Sequence, residues 1–242
     1  MNKPTSQPAN QPTTGEPPVL TIDGPSGAGK GAVSAIVAER LGWHLLDSGA
    51  VYRAVALAAI DRGVDPEDEA ALVAVCETLD LEFRAGEDGI VVLLDGRAVD
   101  ERLRSEAVSI MASRVASKPA VRRALLGLQR EFRRSPGLVA DGRDMGTVVF
   151  SNAPVKVFLD ASVDERARRR HKQLKEKGES VKFSRLFHDL AERDRRDRER
   201  AVSPTVPAPD ATVIDSTELA LEQVVERLLD LVAERLDGER KI

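Results

Sequence analysis

The chain of 242 residues has a single cysteine, Cys76, and three scattered histidines, His44, His171 and His188. One thiol cannot build a disulfide framework or a Cys-rich zinc site, and isolated histidines argue against a His-based metal centre. Aromatic residues make up only 3%, too few for the stacking platforms that bind single-stranded nucleic acid. No uninterrupted apolar run reaches the ~18 residues that would span a bilayer. Neither nucleic acid nor membrane is therefore an expected partner. What is present is 42% hydrophobic residues, enough to bury a core and too many for a disordered chain.

The net charge of -4 is unevenly spread. Residues 165–200 carry 14 Lys/Arg against 8 Asp/Glu, leaving 22 against 32 elsewhere. A basic stretch in an acidic protein suits a specific anionic ligand, although a solvated helix laced with ion pairs gives the same pattern. Residues 1–17 are rich in Pro, Thr, Gln and Asn and read as a disordered tail. They lack the apolar stretch of a signal peptide, so a cytoplasmic location is expected.

Apolar runs at Val19–Asp23, His44–Leu46, Leu138–Asp141, Val155–Asp160 and Thr212–Ile214 read as buried strands separated by helical patterns. Such alternation predicts an α/β fold with a parallel five-stranded sheet of the P-loop NTPase type, covered by helices. Between about 64 and 100 the pattern changes to an acidic helix and β-like runs, read as an inserted subdomain. Helices are expected at about 102–117, 119–134, 163–178 and 182–200, and at the C-terminus.

The most specific motif is Gly24-Pro25-Ser26-Gly27-Ala28-Gly29-Lys30-Gly31, with Gly-x4-Gly-Lys spacing between a strand and a helix. Such a loop turns backbone amides toward phosphate oxygens, the helix start adds its positive end, and Lys30 reaches the β- and γ-phosphates. The hydroxyl residue usual after the lysine is missing: Gly31 and then Ala32 stand there. Ser34 is close in sequence but badly placed on the helix to substitute. Metal coordination then falls to water, phosphate oxygens and a carboxylate elsewhere, for which Asp141 at a strand end is the candidate, acting through water on Mg²⁺. No Asn-Lys-x-Asp guanine signature occurs, which weakens a GTPase reading.

Two further segments carry chemistry: Leu46-Asp47-Ser48-Gly49-Ala50-Val51-Tyr52-Arg53 and Ala140-Asp141-Gly142-Arg143-Asp144-Met145-Gly146-Thr147. Charges packed into a turn after a buried strand favour a ligand site over a mere loop. Together with the P-loop and Arg193-Asp194-Arg195-Arg196-Asp197-Arg198-Glu199-Arg200, they resemble the bacterial cytidylate kinases, in the same order and from about Val19 to the last helix.

That resemblance implies a kinase domain over 18–242, with a core at about 18–47, 119–162 and 201–242. It implies an acceptor-nucleotide subdomain at about 48–118 and a lid at about 163–200. ATP and Mg²⁺ would be used to phosphorylate CMP or dCMP, and the chain would be a monomer. Gly24 to Ala32 would hold ATP. Arg53, Arg143 and Arg200 would grip the acceptor phosphate, Ser113, Arg122 and Asp144 would read the cytosine edge, and Asp197 would hold the ribose with Ser48 and Arg193 nearby. Lys30, Arg143, Arg200 and the lid arginines Arg166 and Arg170 are the expected catalytic cations, with Arg169 beside them. A kinase for another acceptor, or a non-catalytic nucleotide binder, remains open on the residues alone.

Overall fold

In the computed structural model the described residues are 15–86, 89–176, 178–199 and 203–239. The expected tail at 1–17 lies outside them except for its last three residues.

Five strands form one parallel sheet: β1 (Val19–Asp23), β2 (His44–Asp47), β6 (Leu138–Gly142), β7 (Val155–Asp160) and β8 (Thr212–Asp215), in the spatial order β2-β6-β1-β7-β8. Their apolar side chains fill both faces; Val19, Leu20, Ile22, Leu46, Leu138 and Leu159 are fully buried, as a sheet covered on both sides requires. Helix α1 (Lys30–Leu41) carries the chain from β1 to β2 and stops at Gly42 in the left-handed conformation. From β1 the chain moves to one side for β2 and β6 and later to the other for β7 and β8. The carboxyl end of β1 therefore lies at the point of reversal, where ligands of open α/β sheets sit.

The 64–100 segment departs from the parallel strand–helix alternation. After α2 (Ser48–Asp61) come α3 (Glu69–Glu77) and an antiparallel sheet of β3 (Leu81–Gly86), β4 (Gly89–Leu94) and the two-residue β5 (Arg97–Ala98), which the sequence did not suggest. Phe83 on β3 meets Phe132 with ring centroids 5.3 Å apart, tying this sheet to the segment after α6 (Pro119–Glu131). Cys76 is buried in α3, as a small core residue.

The single helix expected at 102–117 is two: α4 (Asp100–Leu103) and α5 (Glu106–Ser117). The break is at Ser105, whose hydroxyl accepts from the Val108 amide and caps α5. A serine at this point competes for backbone amides and favours a cap over a helix interior. Helices α7 (Val163–Glu176) and α8 (Phe183–Glu199) form the basic pair, and α9 (Leu221–Glu239) closes the chain. Among the described residues no helix is long and apolar enough to cross a membrane.

Candidate functional site

Three strand ends bring carboxylates together. Asp47 and Asp141 are register partners on β2 and β6, and Ile22, the residue before Asp23, pairs with Asp141 from β1. The chain then bends through the Gly24–Gly29 loop into α1, placing Lys30 over these ends. The Lys30 Nζ donates to the Pro25 carbonyl at 3.1 Å and lies 3.8 Å from Asp141. Burial pushes the Lys30 ammonium below its usual range, while Asp141 pulls it back. Burial raises the Asp141 carboxyl to about 7, with repulsion from Asp47 and Asp23 added and Lys30 and Arg143 opposing. A buried cation this weakly neutralised, beside a helix start and a bent amide loop, is suited to a polyphosphate.

Asp23 has a structural task of its own. Its two carboxylate oxygens accept from the Met145 and Gly146 amides, each at 2.8 Å. They hold a π-helical turn, Met145–Val149, against β1. Burial raises this carboxyl to about 6 even though those amides favour the charged form. The clamp fixes the residues just before the turn, Arg143 and Asp144.

Asp144 is buried and pairs with Arg122 of α6 at 2.6 Å. The Arg122 guanidinium lies 5.4 Å from the Tyr52 ring centroid, a cation–π distance. Arg143 donates its Nε to Asp197 of α8 at 2.7 Å, and Arg193 lies 3.9 Å from the same carboxylate. The Arg193 guanidinium is pushed down to about 10, first by burial, then by the charge of Arg143, with Arg53 and Arg196 adding to it and Asp197 opposing. The guanidiniums of Arg143 and Arg193 thus share one carboxylate, with Arg53 of α2 within electrostatic reach of Arg193. Such repulsion is relieved when an anion enters. Arg143 also acts on Lys30, lowering it further, so it stands electrostatically between the loop cation and the guanidinium cluster.

On the other side of the loop, a groove of about 540 Å³ runs between α1, α7 and the segment after β8, with Ala28, Ala32, Arg169, Ser216 and Leu221 on its walls.

The model of the family described as cytidylate kinase matches residues 20–234. The chain belongs to the cytidylate kinase family. Among its relatives, a cytidylate kinase of Klebsiella pneumoniae is 58% identical over 219 residues, covering 90% of this chain and 96% of that protein. One from Photobacterium profundum is 54% identical over 220 residues, covering 91% and 96%. One from Stutzerimonas stutzeri is 54% identical over 220 residues, covering 90% and 96%. As a member of the cytidylate kinase family the chain is an ATP-using enzyme with nucleotide substrates.

Within that frame the structure sorts the expected residues. It brings Lys30 and Asp141 to one end of the sheet, with Arg143 within electrostatic reach of both. Arg143, Arg193 and Asp197 meet in a second cluster, and Arg122 and Asp144 in a third contact. Ser48 is buried and donates its hydroxyl to Gln129 of α6 at 2.8 Å. Ser113 stands exposed on α5 and Arg170 exposed on α7. Arg200 lies outside the described residues.

Ser34 is fully buried with its hydroxyl unpartnered, so it does not replace the hydroxyl absent at Ala32. Arg166, expected among the catalytic lid cations, is instead held inside the protein in this structure. Arg166 is 1% exposed and its guanidinium is committed to Asp194 and to the Ala161 and Ser26 carbonyls. A buried guanidinium requires such acceptors. Sequence reasoning passed over Asp23, Gln129 and Asp194; a carboxylate closing an apolar strand was the one signal that could have marked Asp23.

Proposed function

We propose that the chain transfers the γ-phosphoryl group of ATP to CMP or dCMP, giving ADP and CDP or dCDP, in pyrimidine nucleotide metabolism. The observation that carries this reading is the placement of Arg143, two residues after the Asp141 that faces Lys30 and paired with the Asp197 that faces Arg193. A triphosphate held by the loop and a monophosphate held by the arginine cluster would meet at that residue. An oxygen of the acceptor phosphate attacks the γ-phosphorus as the bond to the β-phosphate oxygen breaks. That oxygen is already anionic near neutral pH, so alignment and charge neutralisation provide most of the catalysis.

In this reading Gly24 to Gly31 bind the triphosphate. Arg53, Arg143 and Arg200 hold the acceptor phosphate, with Ser48 and Arg193 beside them. Arg122, Asp144 and Ser113 read the cytosine edge, and Asp197 holds the ribose. Segments 48–118 and 163–200 act as acceptor subdomain and lid, with Arg170 free to swing over the transferred group as the lid closes.

Asp141 is the carboxylate suited to Mg²⁺. It would be reached through water by an ion that arrives bound to the triphosphate; among the described residues no group of three or more His, Cys, Asp or Glu could hold a metal. Bound there, Mg²⁺ would neutralise charge developing on the β- and γ-phosphate oxygens. We place the enzyme in the cytoplasm as a monomer, for which elution at the mass of one chain, 26.3 kDa, is the check.

A coupled assay of ADP formation with CMP, dCMP, UMP and AMP at fixed ATP–Mg²⁺ tests the assignment. CMP or dCMP is expected to give the highest kcat/KM. Preference for an adenine acceptor would replace this reading with that of another monophosphate kinase, and ATP binding without transfer to any acceptor would replace it with a nucleotide binder.

Ala32→Thr tests the missing hydroxyl. Ala32 is exposed on the first turn of α1 and borders the groove, so a threonine has room. A hydrogen bond to a charged group is worth about 1.5–3 kcal/mol, so kcat/KM for ATP is expected to stay equal or to rise, by about 10–100-fold where the full contact forms. A clear loss would mean that the loop is adapted to the small residue.

A further inference from the structure

Arg166 leads, by volume, the fully buried side chains of the described residues, and its partner Asp194 is 5% exposed. Its Nε donates to the Ala161 carbonyl at 2.9 Å. Nη1 donates to the Ser26 carbonyl at 2.8 Å and to Asp194 Oδ1 at 3.1 Å, and Nη2 donates to Asp194 Oδ2. One guanidinium thus ties the Gly24–Gly29 loop to the segment after β7 and to α8.

One turn further along α7, Arg169 donates Nη1 to the Ala28 carbonyl at 3.5 Å and Nη2 to the Ser216 carbonyl at 2.6 Å. Two carbonyls of the loop, two residues apart, are drawn toward the same helix. Gly27 between them has φ +84°, and a Cβ there would lie 3.4 Å from the Arg166 Cβ, so the loop rests on the Arg166 stem. With the Ser26 and Ala28 carbonyls drawn to α7, the peptide planes between them are held in one orientation, the kind of fixed amide array an anion needs.

We propose that Arg166 and Asp194 are positioning residues: the pair holds the Ser26 carbonyl on the α7 side and so presets the loop amides for the triphosphate. The inference rests on the loop being the ATP site, as proposed above, and is independent of which acceptor is used. A merely structural pair would behave differently, because apolar residues of similar volume can replace a buried ion pair without loss of stability. They cannot hold a carbonyl.

The test is the double variant Arg166→Met/Asp194→Leu, measured by thermal unfolding, by titration with a fluorescent non-hydrolysable ATP analogue without acceptor, and by KM for ATP and CMP. Loss of a charged hydrogen bond that shapes the loop predicts analogue binding weakened by about tenfold or more, with KM for CMP within about twofold of the parent. The melting temperature is expected to stay within about 5 °C of the parent. Parent-like analogue affinity would overturn the proposal.

Should the double variant not fold, Arg166→Lys decides. One ammonium keeps the charge opposite Asp194 but lacks the planar fork needed to serve both carbonyls and the carboxylate. The same weakening of about tenfold is expected, and affinity within about twofold of the parent overturns the proposal. A parent that binds the analogue but leaves CMP unphosphorylated would refute the proposed reaction while the affinity comparison still decides the role of Arg166. A parent that fails to bind the analogue would end both.

Discussion

Lys30→Ala is expected to lower kcat by about 10²–10³-fold or more, the loss that follows removal of one preorganised donor from a developing anion. The side chain is buried at the start of α1, 3.1 Å from the Pro25 carbonyl and 3.8 Å from Asp141. Its surroundings weaken its hold on its own proton, so the ammonium gains most when phosphate oxygens arrive. The fold is expected to survive, because the carboxylate left behind can neutralise itself. Asp141 already titrates near 7 with Lys30 opposing the rise; without Lys30 it moves further up.

The sign of the resulting pH dependence follows. A carboxyl whose folded pKa lies above its unfolded value of 3.8 binds its proton more tightly in the native state. Its contribution to stability is therefore fully present below about 3.8 and is lost as pH rises from there through the folded value, a loss that extends to higher pH in Lys30→Ala. Thermal unfolding of Lys30→Ala across that range, beside initial rates with saturating CMP, checks both halves. Near-parent turnover would remove Lys30 from the phosphate site.

The parts of this architecture written in local sequence were legible; those made by distant partners were not. Apolar runs located the five strands of the parallel sheet, and the loop from Gly24 to Lys30 declared itself through glycine spacing between a strand and a helix. The order β2-β6-β1-β7-β8 was not legible in the same way, because β6 inserts between β1 and β2 only after the long excursion from α2 to α6.

Arg166, Arg169 and Arg170, by contrast, look alike in the chain. The fold buries the first against Asp194, 28 residues away, sets the second against Ser216 and leaves the third exposed. Gln129 lies in α6 with nothing in its neighbouring sequence to mark it. It is 2% exposed and accepts from the Ser48 hydroxyl across 81 residues of chain. Helical periodicity reports which way a residue points; it says nothing about what the rest of the molecule sets opposite. The π-helical turn at Met145–Val149 escaped for the same reason, since the carboxylate that holds it, Asp23, lies 122 residues earlier.

Gly24→Ala is expected to remove most of the activity and to lower the melting temperature by on the order of 10 °C, a cost of about 3 kcal/mol or more. Gly24 has φ +150°, and a Cβ built there would lie 2.0 Å from the Leu159 carbonyl oxygen and 3.0 Å from its carbon. Those atoms are backbone of β7, which pairs with β1 in register at Leu20, Thr21, Ile22 and Asp23. They cannot swing aside as a side chain would. The methyl must be accommodated by lifting the loop off the sheet or by breaking the pairing at the end of β1. Either movement displaces Lys30, and it loosens the Asp23 clamp on the turn that carries Arg143 and Asp144. A single methyl group at this point therefore disturbs donor loop and acceptor cluster together, and KM for ATP and for CMP should both rise in any fraction that stays folded. Alanine at Gly63, where a Cβ would meet nothing within 4 Å but φ is also positive, +65°, is the control. It carries the backbone strain without the clash, and it should keep full activity with only a small loss of melting temperature. Equal losses at the two positions would show that conformational strain, and not the approach of β7, is what requires glycine at the end of β1.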